Sequence, residues 1–234
     1  MTDLVTYSFA DGVATVTMDD GKANAMGPAM QAALNAALDR AEADQAIVVW
    51  TGRAGVFSGG FDLKVFKAGD PEAIVQMLTG GAQLAQRLLS YPHPLICACS
   101  GHAMAMGLFL LQCADVRIGL NTDATVQANE VLIGMALPYF ALELIRARVA
   151  TPHQHLVATA SPYVGEDAVR AGLLDEAVAP EALSAAVQAH VARLKKANPA
   201  SFTATKQRLR APVLAAMPAA IEKDTVIWRR QGTA

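Results

Sequence analysis

The sequence predicts an α/β fold, a largely parallel sheet covered by helices, and three observations carry that prediction. Ala46 to Thr51 is a short, unbroken apolar run, the pattern of a strand buried on both faces. Strand-like and helix-like segments then alternate as far as Leu120. Beyond about Pro138 the strands nearly vanish and helical patterns dominate.

In chain order, Leu4–Phe9 and Val13–Met18 read as a hairpin, with Asp11-Gly12 as the tight-turn pair. From Pro28, Met30, Leu34, Ala37, Leu38 and Ala41 share one helical face, and proline is tolerated in a first turn. After the strand at 46–51, Arg53–Asp62 reads as a loop, followed by a helix from about Glu72 to Leu89 that Pro92 and Pro94 stop. Leu95–Ser100 is the next strand, Gly101–Gly107 a turn, Leu108–Cys113 a helix and Val116–Leu120 another strand. Helices are predicted at 139–149, 152–159, 181–196, 199–210 and 215–229, with bends at Pro152, Pro180, Pro199 and Pro212. The predicted organisation is an α/β core over residues 1–180 and a helical section over 181–234.

Composition excludes several classes. Of 234 residues, 53% are hydrophobic and 17% charged, which argues against disorder. A formal charge of −2 gives no electrostatic footprint for nucleic acid. The apolar run Ala103–Leu111 is too short for a membrane span, and Met1-Thr2-Asp3-Leu4 lacks the basic start of a signal peptide. Cys97, Cys99 and Cys113 are odd in number, form no Cys-x-x-Cys pair and sit among apolar residues, so buried free thiols in a reducing cytoplasm are expected.

Two segments share one logic: a strand ends, the chain turns on small residues, and a helix begins. These are Val56-Phe57-Ser58-Gly59-Gly60-Phe61-Asp62-Leu63 and Gly101-His102-Ala103-Met104-Ala105-Met106-Gly107. Such turns bring unpaired N–H groups and a positive dipole end to one place. Two amides converging on a thioester carbonyl would hold the charge of an enolate, each donor contributing about 3–4 kcal/mol in the transition state. Taken singly, each turn also suits plain structural use, and neither matches a phosphate-binding fingerprint, which disfavours a nucleotide-binding domain.

Asn24-Ala25-Met26, then Phe57–Leu63, then Gly101 through Gly107 to Cys113-Ala114-Asp115, resembles the crotonase (enoyl-CoA hydratase/isomerase) superfamily in order and spacing. Ala168–Val178, with Gly172-Leu173-Leu174-Asp175, is similar to the family's closing helix–turn–strand, so the likeness covers roughly residues 4–210. The resemblance implies a crotonase-like (ClpP/crotonase) fold of repeated ββα units with a C-terminal helical section for trimerisation and active-site cover. It also implies an acyl-CoA thioester substrate, a homotrimer or homohexamer, and no metal or redox cofactor, coenzyme A entering only with the substrate. The oxyanion donors it implies are the backbone N–H groups of Gly59 and Met106, although Met106 replaces the family's usual glycine. Ser58, Gly59, Gly60, Phe61 and Asp62 would line the coenzyme A path and Phe109 the acyl pocket.

Of the two carboxylates that familiar hydratases use, the first position falls on Phe109 and the second on Glu130, in Ala128-Asn129-Glu130-Val131-Leu132-Ile133-Gly134. Phenylalanine cannot transfer a proton. A single glutamate can still move one from the α-carbon of a 3-enoyl thioester to its γ-carbon, as single-glutamate isomerases of the superfamily do. Burial beside Phe109 and Met106 is expected to raise its pKa towards neutrality. The segment after Glu130 has an extra residue before Pro138 and no glycines after it, which predicts a bulkier pocket floor.

Three functions follow in order of preference: an enoyl-CoA isomerase, a hydratase using Glu130 alone, and a non-catalytic acyl-CoA-binding subunit. His102 is expected to pack without a chemical role, and His153 and His155 are too close in sequence to share a helical face as metal ligands. Ser58 and Ser100 lack a His/Asp arrangement. Asp62 is as well suited to anchoring its loop as to touching substrate, Asp115 is expected to be structural, and Lys64, Lys67 and Lys206 are expected on the surface.

Overall fold

The computed structural model describes residues 3–232, so Met1-Thr2 and the last two residues of the 181–234 section lie outside it. Strands β1 (Val5–Ala10) and β2 (Val13–Met18) form the expected antiparallel hairpin, Val5 opposite Met18 and Ala10 opposite Val13. Helix α1 (Pro28–Ala43) opens with Pro28 and buries the predicted face, Met30, Leu34, Ala37, Leu38 and Ala41. Then follow β3 (Ile47–Thr51), β4 (Gly55–Ser58), α2 (Leu63–Ala68) and α3 (Pro71–Ser90). The Asp70 carboxylate starts α3 by accepting the amide of Glu72. The next unit is β5 (Leu95–Ala98), β6 (Gly101–Met104) and α4 (Met106–Gln112).

A third unit repeats the plan with β7 (Val116–Leu120), β8 (Thr125–Gln127), a 3₁₀ turn at Glu130–Ile133 and α5 (Tyr139–Arg148). The chain continues through α6 (Gln154–Ala158), β9 (Tyr163–Val164), α7 (Gly165–Arg170), β10 (Glu176–Val178), α8 (Leu183–Leu194) and α9 (Pro199–Gly232). The three units that begin at β3, β5 and β7 each send one strand to a six-stranded sheet, in order β1-β2-β3-β5-β7-β10, and one to a four-stranded sheet, in order β4-β6-β8-β9. Apart from the β1–β2 hairpin the large sheet is parallel.

Alternation along β3 and β5 explains how both faces of the large sheet are covered. Val48, Trp50, Leu95 and Cys97 join the core containing α1, α3 and α4. Ile47, Val49, Ile96 and Ala98 point the other way, against Val187, Val191 and Leu194 of α8. The three cysteines are buried free thiols.

Two expectations are corrected. Residues 53–62 and 101–107 are not simple loop and turn, because β4 and β6 run through them and pair in parallel. The predicted break near Pro212 is also absent: α9 is one helix with Pro212 and Pro218 inside it. Each proline removes a backbone hydrogen bond, a loss of about 3 kcal/mol in an isolated helix. Burial of Arg210, Val213, Met217, Ile221, Asp224 and Trp228 along α9 offsets that loss and holds the axis against α3 and α5.

Asp224 fastens α9 to the third unit. Its carboxylate is buried and accepts the amides of Tyr139 at 2.8 Å and Phe140 at 2.9 Å, capping α5 from a distant helix. Asp224→Ala is expected to cost about 2 kcal/mol, measured as a lower urea midpoint with an unchanged slope.

Candidate active site

The first glycine-bearing turn is held from below by Asn24. Its side-chain amide donates to the carbonyls of Met18, Val56 and Phe57 at 3.1–3.3 Å, and its own carbonyl accepts the Ser58 hydroxyl at 2.8 Å. Asn24 reaches these partners with φ 48°, a left-handed conformation that asparagine tolerates better than most residues. The sequence pattern contained Asn24, but nothing in it revealed this bracing role. Ser58, fully buried, passes the network on by accepting the amide of Gly60 at 3.2 Å.

This bracing corrects the reading of Gly59. Its amide donates to the carbonyl of Ala23 at 2.7 Å and is therefore engaged. Gly60 is likewise engaged, while the amide of Phe61 finds no acceptor among the described residues. Gly60 turns the chain with φ 93°, and its carbonyl accepts the amide of Met26 at 2.8 Å. Asp62 then caps α2 by accepting the amide of Lys64 at 2.9 Å, so its carboxylate anchors the loop.

The second turn meets the first at Gly60. A β-carbon on Gly60 would stand 2.9 Å from Ala105 Cβ and 3.5 Å from the Met106 amide nitrogen. Gly107 allows the same closeness one residue after Met106, since a β-carbon there would meet the Ser58 carbonyl at 2.6 Å. Met106 is the first residue of α4, and its amide also lacks an acceptor among the described residues. Ala105 carries the unusual backbone, φ 49° and ψ −122°, so Met106 itself can be helical. Met106 therefore keeps an ordinary helical backbone while its amide stays at the turn. The side chains of Phe61 and Met106 come together over Gly81 of α3, where a β-carbon would lie 2.5 Å from the Phe61 ring and 3.3 Å from Met106 Cε.

Glu130 approaches from β8. Met104 pairs with Gln127, and the Ala105 amide donates to the Gln127 carbonyl at 2.8 Å, three residues before Glu130. The glutamate opens the 3₁₀ turn and is 8% exposed, and its Oε2 has no hydrogen-bond partner among the described residues. Burial raises its pKa to about 7, opposed only by a hydrogen bond from its own backbone amide. Phe109, by contrast, is sealed in the core and meets Phe140 edge-on, ring centroids 5.9 Å apart. A carboxylate is absent there, and an aromatic pair fills its place.

Three further residues sit differently from expectation or fulfil it. His102 is exposed, and its Nδ1 accepts the amide of Thr125 at 2.9 Å, so it is bonded rather than packed. Lys206 is buried rather than solvated, paired with Asp115 at 2.7 Å. Asp115 is structural as expected, binding Arg210 at 2.8 Å and the amide of Leu95 at 2.8 Å as well.

Known proteins place this geometry in context. The enoyl-CoA hydratase/isomerase family model matches residues 8–231. A peroxisomal enoyl-CoA delta isomerase 2 of Arabidopsis thaliana is 31% identical over 138 residues, 56% of this chain and 58% of that relative's length. A probable enoyl-CoA hydratase of Rhodobacter capsulatus is 29% identical over 92% of this chain and 84% of its own. Among solved structures, an apo enoyl-CoA isomerase of Mycobacterium tuberculosis shares 44% identity and a TM-score of 0.91, covering 97% of this chain and 99% of that one. Human mitochondrial Δ3-Δ2-enoyl-CoA isomerase superposes with a TM-score of 0.92 over 98% of this chain and 92% of that one, at 19% identity, a likeness of fold alone. Both isomerases and hydratases are represented, so these names do not select a reaction. Fold, paired turns and family match together establish that this chain belongs to the enoyl-CoA hydratase/isomerase family, the crotonase superfamily.

Proposed function

We propose that the protein isomerises 3-enoyl-CoA thioesters to their conjugated 2-enoyl isomers, with Glu130 as the single acid–base group. The observation that carries this reading is the contrast between the two carboxylate positions. Glu130 is buried, with an unpartnered oxygen and a pKa near 7, while Phe109 stands at the other position and packs on Phe140.

In this reading Glu130 takes a proton from the α-carbon, and electron density moves onto the thioester oxygen. The γ-carbon then receives the same proton as the double bond moves into conjugation, so no water or cofactor is consumed. The donors assigned to the enolate oxygen are the amides of Met106 and Phe61, Phe61 replacing Gly59 because the Gly59 amide is spent on Ala23. Gly60, Asp62 and Ser58 shape the loop, and Phe109, packed on Phe140, leaves Glu130 as the one acid–base group of the two positions. No metal is assigned a role.

Purified protein incubated with 3-hexenoyl-CoA and separately with crotonyl-CoA tests the proposal. Conjugation of the first without hydration of the second is expected. Hydration of crotonyl-CoA with no action on 3-hexenoyl-CoA would favour the hydratase, and binding with neither reaction the non-catalytic subunit.

The base must be ionised to act, and its pKa lies near 7. The free-enzyme pH profile of kcat/KM is therefore expected to rise about tenfold per unit below roughly pH 7 and level off above it. A profile already flat from pH 5 would contradict a raised carboxylate as base.

A further inference from the structure

The far end of α4, away from the paired turns, holds an excess of positive charge. Arg210 donates to the carbonyls of Leu89, Cys113 and Ala114, Arg148 to that of Ala114, and Lys206 to that of His93. These bonds satisfy carbonyls at and near the negative end of the helix. Among the described residues, Asp115 is the carboxylate that pairs with these cations. Its two oxygens are already taken by Lys206, Arg210 and the Leu95 amide. Asp175 is likewise occupied, forked onto Arg117 at 2.6 and 3.0 Å.

Arg148 is therefore left without a carboxylate in ion-pair reach among the described residues, and its buried Nε has no hydrogen-bond partner. Its pKa is lowered to about 10, chiefly by burial and then by Arg117 and Arg210. Arg193 on α8, also without a carboxylate partner among the described residues, adds a further cation at the rim. Asp115, Arg148, Arg193, Lys206 and Arg210 border one surface recess of about 240 Å³, with the exposed Leu209 at its edge. Surplus cations bordering a recess are stabilised by a bound anion, and the arginine fork matches an oxyanion.

We propose that this recess binds a tetrahedral oxyanion of the phosphate class, anchored by Arg148 and assisted by Arg193. The occupant neutralises the surplus cations and holds α4, α5 and α9 together from the side opposite the reaction. The site is separate from the paired turns and does not depend on which reaction they catalyse.

Thermal unfolding of the full chain in increasing inorganic phosphate, at ionic strength fixed with sodium chloride, tests this. The wild-type Tm is expected to rise saturably, by about 5 °C at a hundredfold excess over the dissociation constant. Arg148→Gln is expected to lose the rise and Arg193→Gln to weaken it several-fold, both keeping wild-type coenzyme A affinity by calorimetry. Should Arg148→Gln fail to fold, Arg193→Gln and Arg148→Lys carry the test by the shift in half-saturation. No rise beyond that in chloride, or an unchanged rise in the arginine variants, overturns the proposal. So does a phosphate-induced loss of coenzyme A affinity that tracks the Tm rise, because the anion would then occupy the thioester's own site.

Discussion

Glu130→Gln is expected to lower kcat on a 3-enoyl-CoA by about 10²–10⁴-fold, the range a positioned acid–base group contributes. Coenzyme A affinity should change little, because the paired amides and the loop they sit on are untouched. The same substitution is expected to stabilise the fold above pH 7. Glu130 binds its proton more tightly when folded, its pKa rising from 4.5 to about 7. Between those values the folded chain holds more protons than the unfolded one, so stability falls as pH rises through the window. The full penalty at higher pH is about 3 kcal/mol as an upper bound, and it vanishes below pH 4.5. Urea titrations at pH 4.5 and pH 8 should therefore show the variant gaining over wild type only at pH 8. A gain in stability bought by a loss of turnover distinguishes a strained catalytic carboxylate from a surface one.

Asp115→Asn is expected to have the largest effect on stability. One carboxylate holds Lys206 at 2.7 Å and Arg210 at 2.8 Å, all three side chains largely buried. Burial and the neighbouring Arg210 and Arg148 already lower the pKa of Lys206 to about 8, against the upward pull of Asp115. Removing the anion leaves several cations facing one another in a poorly solvated space, and breaking such a pair costs about 3–5 kcal/mol. Equilibrium unfolding in urea near pH 7 measures the loss. A change below about 1 kcal/mol would mean that the cluster is solvated far more than its burial indicates.

Much of the large sheet was legible because its strands are continuous apolar runs and its helices carry one apolar face, as at Ala46–Thr51 and Met30–Ala41. The small sheet was not. Its strands β4, β6 and β8 are three or four residues long and carry glycine, alanine, threonine and serine, so they show no period. Pro212 and Pro218 misled because local propensity opposes a helix that tertiary burial maintains.

At the site, the order of the motifs and the lone Glu130 could be read from spacing. The state of the Gly59 amide could not, since its acceptor Ala23 lies 36 residues earlier, a distant bond no local pattern encodes. The strain at Ala105 was hidden in the same way: alanine ordinarily avoids φ 49°, so only the fold discloses it.

The most direct test of the account is a crystal structure with a slowly reacting 3-enoyl-CoA bound to Glu130→Gln. The thioester oxygen is expected about 2.7–3.1 Å from the amide nitrogens of both Phe61 and Met106. Residue 130 should face the α-carbon, and the Gly59 amide should still be bonded to Ala23. A thioester oxygen bound away from those two amides, or an α-carbon beyond the reach of residue 130, would contradict the account.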